Sequence, residues 1–235
     1  MALSGILASV PKHQTTLPVS GKKIEYRPFI VKEEKILFMA SESKDEKTIN
    51  SAIREVISAC TGGTVDVFKL PIADMEYLFL QLRSHSVGET AKPNIKCSKC
   101  EIPNECEINL KEIKPTIDPK HTKIITVVDD ISIQMRYPTM DDLQDITTQS
   151  DVERALTILV KSIDKVYQGE IIHNAAEMDE KEVRNFVEEL TQDQFKRLFE
   201  FIETMPKLEK EVRFKCKSCG HENITVLKGI TSFFS

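Results

Sequence analysis

The chain has no tryptophan and only eight glycines in 235 residues. Sparse glycine excludes collagen-like and glycine-rich low-complexity chains. No phosphate-cradling glycine-rich loop and no G-x-S-x-G nucleophile turn occur. The five histidines (His13, His85, His121, His173, His221) are scattered, and none sits in a His-Glu-x-x-His metal motif. No apolar run approaches the roughly 20 residues of a membrane helix. The opening Met1-Ala2-Leu3-Ser4-Gly5-Ile6-Leu7 lacks a basic flank, so no secretory signal is expected and synthesis in a reducing cytoplasm follows. An excess of positive charge is missing too: 32 basic against 37 acidic residues leave −5, which argues against a dedicated nucleic-acid binder. Two carboxylate pairs invite a catalytic reading. Asp129-Asp130 reads better as a hairpin turn and Asp141-Asp142 as an acidic helix start. These absences together predict a protein that is not an enzyme.

Paired cysteine is what the chain does have. Cys97-Ser98-Lys99-Cys100 and Cys216-Lys217-Ser218-Cys219 hold four of its six cysteines. Two residues between thiols let both face one ion from a tight turn, and two such knuckles supply the four thiolates of a tetrahedral zinc site. One structural zinc ion is therefore expected on Cys97, Cys100, Cys216 and Cys219. The 115 residues between Cys100 and Cys216 make it a clasp between distant regions. Both knuckles have a strand, knuckle, strand pattern like a zinc ribbon, and Gly220 suits the positive φ of such a turn. A thioredoxin-like pair would open a helix after a buried strand, and neither pair does. Disulfides would need export, and an iron–sulfur cluster also accepts four thiolates. Cys106 and His221 are candidate further ligands beside the four. Cys60 ends an apolar helical face with Ile53, Val56 and Ile57, as a core residue would.

The coarse reading is α+β: two pseudo-repeats of β-hairpin plus helices, each ending in a zinc-ribbon-like cysteine hairpin. An N-terminal arm covers 1–13, an N-terminal half 14–115 and a C-terminal half 116–235. Ser20-Gly21 and Asp129-Asp130 mark the two hairpin turns, and Pro28 and Pro138 end the hairpins. Helices are expected over Lys32–Ser43, from a cap at Ser43 or Asp45 to Cys60, from Pro71 past Leu82, and over Asp151–Gln168, Asp179–Leu190 and Thr191–Met205. Thr191-Gln192-Asp193-Gln194 fits a capping box. Tyr77 precedes Cys97 by 20 residues, and Arg197 precedes Cys216 by 19. That agreement points to an internal duplication whose halves each give one knuckle to a shared metal. Lys207, Lys210, Arg213, Lys215 and Lys217 surround the second knuckle. Glu209 and Glu211 are interleaved with them, so a solvated strand face is expected rather than a nucleic-acid ribbon.

Longer strings carry a resemblance. Tyr26-Arg27-Pro28-Phe29-Ile30-Val31-Lys32-Glu33-Glu34-Lys35-Ile36-Leu37, the run Lys69–Arg83, Ser86-Val87-Gly88-Glu89, and the closing Cys216-x-x-Cys219-Gly220-His221 with Ser232-Phe233-Phe234 resemble the baseplate protein family of T-even-type contractile-tailed phages. The resemblance implies a virion tail role without enzymatic activity: a structural part of the baseplate hub, made in the host cytoplasm and carried in the virion tail baseplate. Its implied partners are other hub or tail proteins, among them the tape-measure protein. The alternative within the family is a non-virion assembly chaperone that holds hub or tape-measure segments and leaves. A zinc-ribbon nucleic-acid binder is a third reading. Phe29, Ile230, Phe233 and Phe234 are candidate partner-docking residues, since an apolar chain end calls for something to pack on.

Overall fold

The computed structural model describes residues 10–233 apart from 44, 144–145 and 147–149. Residues 1–9 of the expected 1–13 arm, with Phe234 and Ser235, lie outside that set. In chain order the strands are β1 (His13–Thr16), β2 (Lys23–Tyr26), β3 (Thr90–Ala91), β4 (Asn94–Lys96), β5 (Pro103–Glu105), β6 (Ile108–Asn109), β7 (Ile124–Val128), β8 (Ile131–Met135), β9 (Ile163–Gln168), β10 (Ile171–Asn174), β11 (Glu209–Lys215) and β12 (Glu222–Lys228). The helices are α1 (Val31–Ser43), α2 (Glu46–Cys60), α3 (Ile72–Ser86), α4 (Asp151–Lys161), α5 (Glu180–Glu188) and α6 (Gln192–Thr204). The protein is thus mixed α+β, and every sheet pairing is antiparallel.

Packing divides the chain into two compact units that do not follow its halves. One gathers 1–67, 73–116 and 207–235; the other holds 68–72 and 117–206. Both cysteine hairpins, β4–β5 and β11–β12, therefore belong to the first unit. Their core is shared with α3: Leu80 lies in one buried cluster with Ile95, Cys106, Ile108 and Leu110 of the first hairpin region and Leu208, Val212 and Leu227 of the second. Asp74, fully buried on α3, accepts the Val19 and Ser20 N–H groups of the β1–β2 turn at 2.8 Å each. A buried carboxylate is tolerable here because backbone donors satisfy it.

The second unit is a four-stranded sheet in the order β10-β9-β8-β7, with α4, α5 and α6 over one face. Ile125, Val127, Ile133 and Met135 alternate inward along β7 and β8 and meet Leu159, Val183, Leu198 and Phe201 of the helices. Asp129-Asp130 forms the β7–β8 turn, as expected. The capping box is present as well: Thr191 N–H donates to Gln194 Oε1 at 2.8 Å, and Gln194 N–H returns to Thr191 Oγ1.

One expected helix is shorter than its sequence suggests. The reading Asp151–Gln168 is corrected to α4 over Asp151–Lys161, followed by strand β9. Ser162 closes the helix, its N–H and Oγ both donating to the Ile158 carbonyl. The β-branched and aromatic run Ile163, Val166, Tyr167 then pairs with β8 on one side and β10 on the other. Gly169, at φ 57°, provides the β9–β10 turn that makes this possible.

The two hairpins β1–β2 and β7–β8 end in the same device. After β2 the Arg27 N–H donates to the Cys60 carbonyl at the end of α2 (3.0 Å). Its guanidinium pairs with Glu33 at 2.9 Å, and Glu33 also accepts the Ile30 N–H at 2.9 Å. After β8 the Arg136 N–H donates to the Ser162 carbonyl just past α4 (2.7 Å). The Arg136 guanidinium grips Asp142 with two bonds of 2.7 and 2.8 Å, and Asp142 accepts the Thr139 N–H at 2.7 Å. In both cases the acid lies six residues after the arginine and three after the amide it caps.

Candidate metal centre

The two knuckles are built alike. At the tip of β4–β5, Cys97 N–H donates to the Ile102 carbonyl (3.0 Å) and Glu101 N–H to the Cys97 carbonyl (2.9 Å). At the tip of β11–β12, Cys216 N–H donates to the His221 carbonyl (2.8 Å) and Gly220 N–H to the Cys216 carbonyl (3.0 Å). The tight return needs a left-handed residue just after the second cysteine of each. Gly220 fills that place with φ 70° at no steric cost; Glu101 fills it with φ 58° and carries strain.

The four thiols converge. All their sulfurs lie within 4.8 Å of one another, and among the described residues they are the group able to hold a metal ion. Across the knuckles, Cys97 Sγ is 3.7 Å from Cys219 Sγ, and Cys100 Sγ is 3.6 Å from Cys216 Sγ. A tetrahedron with metal–sulfur bonds of ~2.3 Å has edges of about 3.8 Å, so the spacing suits four-thiolate coordination.

Two buried asparagines bind the knuckles to each other. Asn104 Nδ2 points at Cys216 Sγ (3.6 Å), and its Oδ1 accepts the Lys217 N–H (2.9 Å). Asn223 mirrors it: Nδ2 points at Cys97 Sγ (3.5 Å), and Oδ1 accepts the Ser98 N–H (2.8 Å) and hydroxyl (2.9 Å). Each asparagine rises from one hairpin and satisfies the other hairpin's turn. The sequence reading passed over both. The signal was there: each lies four residues after the second cysteine of its own knuckle.

These donors set the electrostatics. Cys216 is lowered to about 6, chiefly because the Cys219 and Ser218 N–H groups and the Asn104 amide stabilise its thiolate against burial. Burial raises Cys97, but the Cys100 and Lys99 N–H groups and Asn223 outweigh it, and the net shift is down. Cys100 is helped by the Ile102 N–H, yet burial and its three thiol neighbours push it up to about 12. Four thiolates in this space repel one another, so full ionisation calls for a cation at the centre.

Other candidates fall elsewhere. Cys106 is buried in the α3 core with its Sγ on the Asn104 carbonyl, outside the four-sulfur cluster. His221 is exposed and contributes its carbonyl. Cys60 is buried, its thiol pushed up to about 11 by desolvation. Phe29 and Ile230 are both buried. Gly229 would bring a Cβ within 3.4 Å of Glu76 Oε1, so α3 lies close beneath the segment that carries Ile230. The basic residues of the second hairpin sit among acids: Arg213 pairs with Glu211, Lys210 with Glu112 and Lys228 with Glu209. That is a solvated face of mixed sign, as expected. No described helix is long and apolar enough to cross a membrane.

Against known proteins, the family model described as T4 bacteriophage base plate protein matches residues 10–235. The "Baseplate hub assembly protein gp26" of Enterobacteria phage T4 is 25% identical over 217 residues, covering 92% of this chain and 94% of that protein. No solved structure matches.

Proposed function

The chain belongs to the T4 bacteriophage base plate protein family, and on that premise we propose that it is a structural component of a contractile tail's baseplate hub. The observation that carries the reading is the near end-to-end likeness to a hub assembly protein. Neither the family's description nor the relative's name denotes an enzyme. On this reading the protein works through contacts with other hub or tail proteins, the tape-measure protein among them, and is carried in the tail baseplate. Mass spectrometry of purified mature particles tests it. The chain should be present at a fixed copy number. Its absence from particles that need it for assembly would replace the structural role with that of a transient chaperone.

We further propose that Cys97, Cys100, Cys216 and Cys219 hold one zinc ion whose role is structural. The all-sulfur donor set, the closed shell of four and the spacing of the sulfurs support zinc. Elemental analysis should find one zinc per chain; iron with sulfide would redirect the site to a cluster. The docking role of Phe233 and Phe234 is a proposal of the same standing. Ile230 packs into its own unit, so trimming only 233–235 separates docking from core packing. Normal tail assembly by that truncated chain would remove the docking role.

The halves 14–115 and 116–235 are proposed to descend from one duplicated ancestor. The matched arginine–acid clasps and the mirrored asparagines support this more specifically than element order does. A relative's structure in which only one half carries these devices would count against it.

A further inference from the structure

The outer face of α1 carries apolar side chains that nothing in its own unit covers. Its inner face is accounted for: Glu33 and Ala40 are buried and Ile36 and Leu37 partly so. On the opposite side Val31 is 78% exposed, Phe38 62% and Met39 59%. A phenylalanine and a methionine this open, adjacent at the helix's outer centre, are unusual on a lone surface. Scattered exposed apolar groups are ordinary, but these share one stripe at i, i+7 and i+8.

The charges along the stripe say what covers it. Lys35 lies one turn before Phe38 and Glu42 one turn after, both exposed on the same face. Neither forms an ion pair with another described residue. An antiparallel second copy centred between Phe38 and Met39 places each position opposite the one whose number completes 77. Phe38 then meets Met39, and Lys35 meets Glu42, twice over by symmetry. A twofold contact must be self-complementary in this way. A parallel arrangement would set Lys35 against Lys35.

We propose that α1 is a homodimer contact: two copies of this chain pair antiparallel through Phe38 and Met39, locked in register by reciprocal Lys35–Glu42 pairs. The proposal is independent of the baseplate reading and of the metal. A contact limited to one 13-residue helix per chain is small, so association is weak and concentration-dependent.

Sedimentation of the full, metal-loaded chain tests it. The average mass of the wild type should climb from 26.7 kDa toward twice that value as concentration rises into the range of ~100 µM. Lys35→Glu puts two pairs of like charge in the contact, as does Glu42→Lys; each variant alone should associate at least about tenfold more weakly. Mixed in equal amounts the two variants carry all-acid and all-basic faces, and the pair should associate at least as well as the wild type. Both positions lie on the surface, and circular dichroism of each variant should match the wild type. A wild type that stays monomeric at ~300 µM would overturn the proposal and leave the stripe to a foreign helix. So would single variants that self-associate like the wild type, or a mixture that shows no recovery.

Discussion

Replacing Asn104 or Asn223 by alanine removes one buried side chain and strands a backbone N–H in the opposite knuckle. Each substitution should cost about 1–3 kcal/mol of stability and about 10–100-fold in metal affinity, read by chelator competition. Glu101 and Gly220 offer a paired comparison, since they occupy equivalent left-handed positions. Glu101→Gly should stabilise by about 0.5–1 kcal/mol, whereas Gly220→Ala should cost a similar amount; thermal melts decide. The Cβ added at Gly220 meets only Lys215 Cε at 3.9 Å, so the cost there is backbone strain alone. Glu76 gives a pH signature. Burial of this α3 residue beneath the segment that carries Ile230 raises its carboxyl to about 7, and the Ile230 N–H only partly opposes this. A carboxyl that holds its proton more tightly when folded favours the fold at low pH. That advantage is lost as pH rises from the ordinary carboxylate range through 7. Glu76→Gln should therefore flatten the stability profile between pH 5 and 8, by an amount on the order of 2 kcal/mol.

The arginine–acid clasps belong to the scale of elements, because each ties a hairpin's exit to the end of a helix. Arg27→Met leaves the Glu33 carboxylate buried with backbone N–H donors but no cation, and should destabilise by about 2–3 kcal/mol in denaturant titrations. Hydrogen bonds and the arginine hold Glu33 and Asp142 below the usual carboxylate range despite burial. Both clasps thus contribute above that range and fail as acid protonates them. At this scale the sequence was informative wherever a local signal spoke alone. The α2 cap at Asp45, the capping box at Thr191, the Asp-Asp turn and the cysteine knuckles all sit where residue chemistry puts them. It misled over 163–168, where Ile163 and Val166 continue the helical spacing of α4 but pair as strand. The deciding partners, β8 and β10, are a matter of tertiary pairing that periodicity does not encode. The clasps were visible only as two prolines, since an arginine and an acid six residues apart mean nothing until a hairpin turns between them.

For the whole molecule, the effect of a metal at the proposed site should be uneven. Stripping it with a chelator is expected to raise hydrogen exchange across β4–β5 and β11–β12 while the 117–206 sheet keeps its protection. Equal loss in both units would contradict a site internal to the first. Legibility ended at this scale too: cysteine spacing announced a clasp, but which segments it gathers depends on a core shared between α3 and two hairpins far apart in the chain. That interleaving also has a consequence in time. The first knuckle leaves the ribosome with its partner still unmade, and at about 5–20 residues per second the wait for Cys216 is roughly ten seconds. Meanwhile residues 117–206 have all they need to fold. The earliest-made unit is therefore the last one finished. A chain cut short by premature termination between Asn104 and Cys216 carries two of the four site thiols and half of the asparagine exchange, and has no closed site. Closure of the clasp reports that synthesis reached the final hairpin, so a particle that recruits only the closed form admits only finished copies.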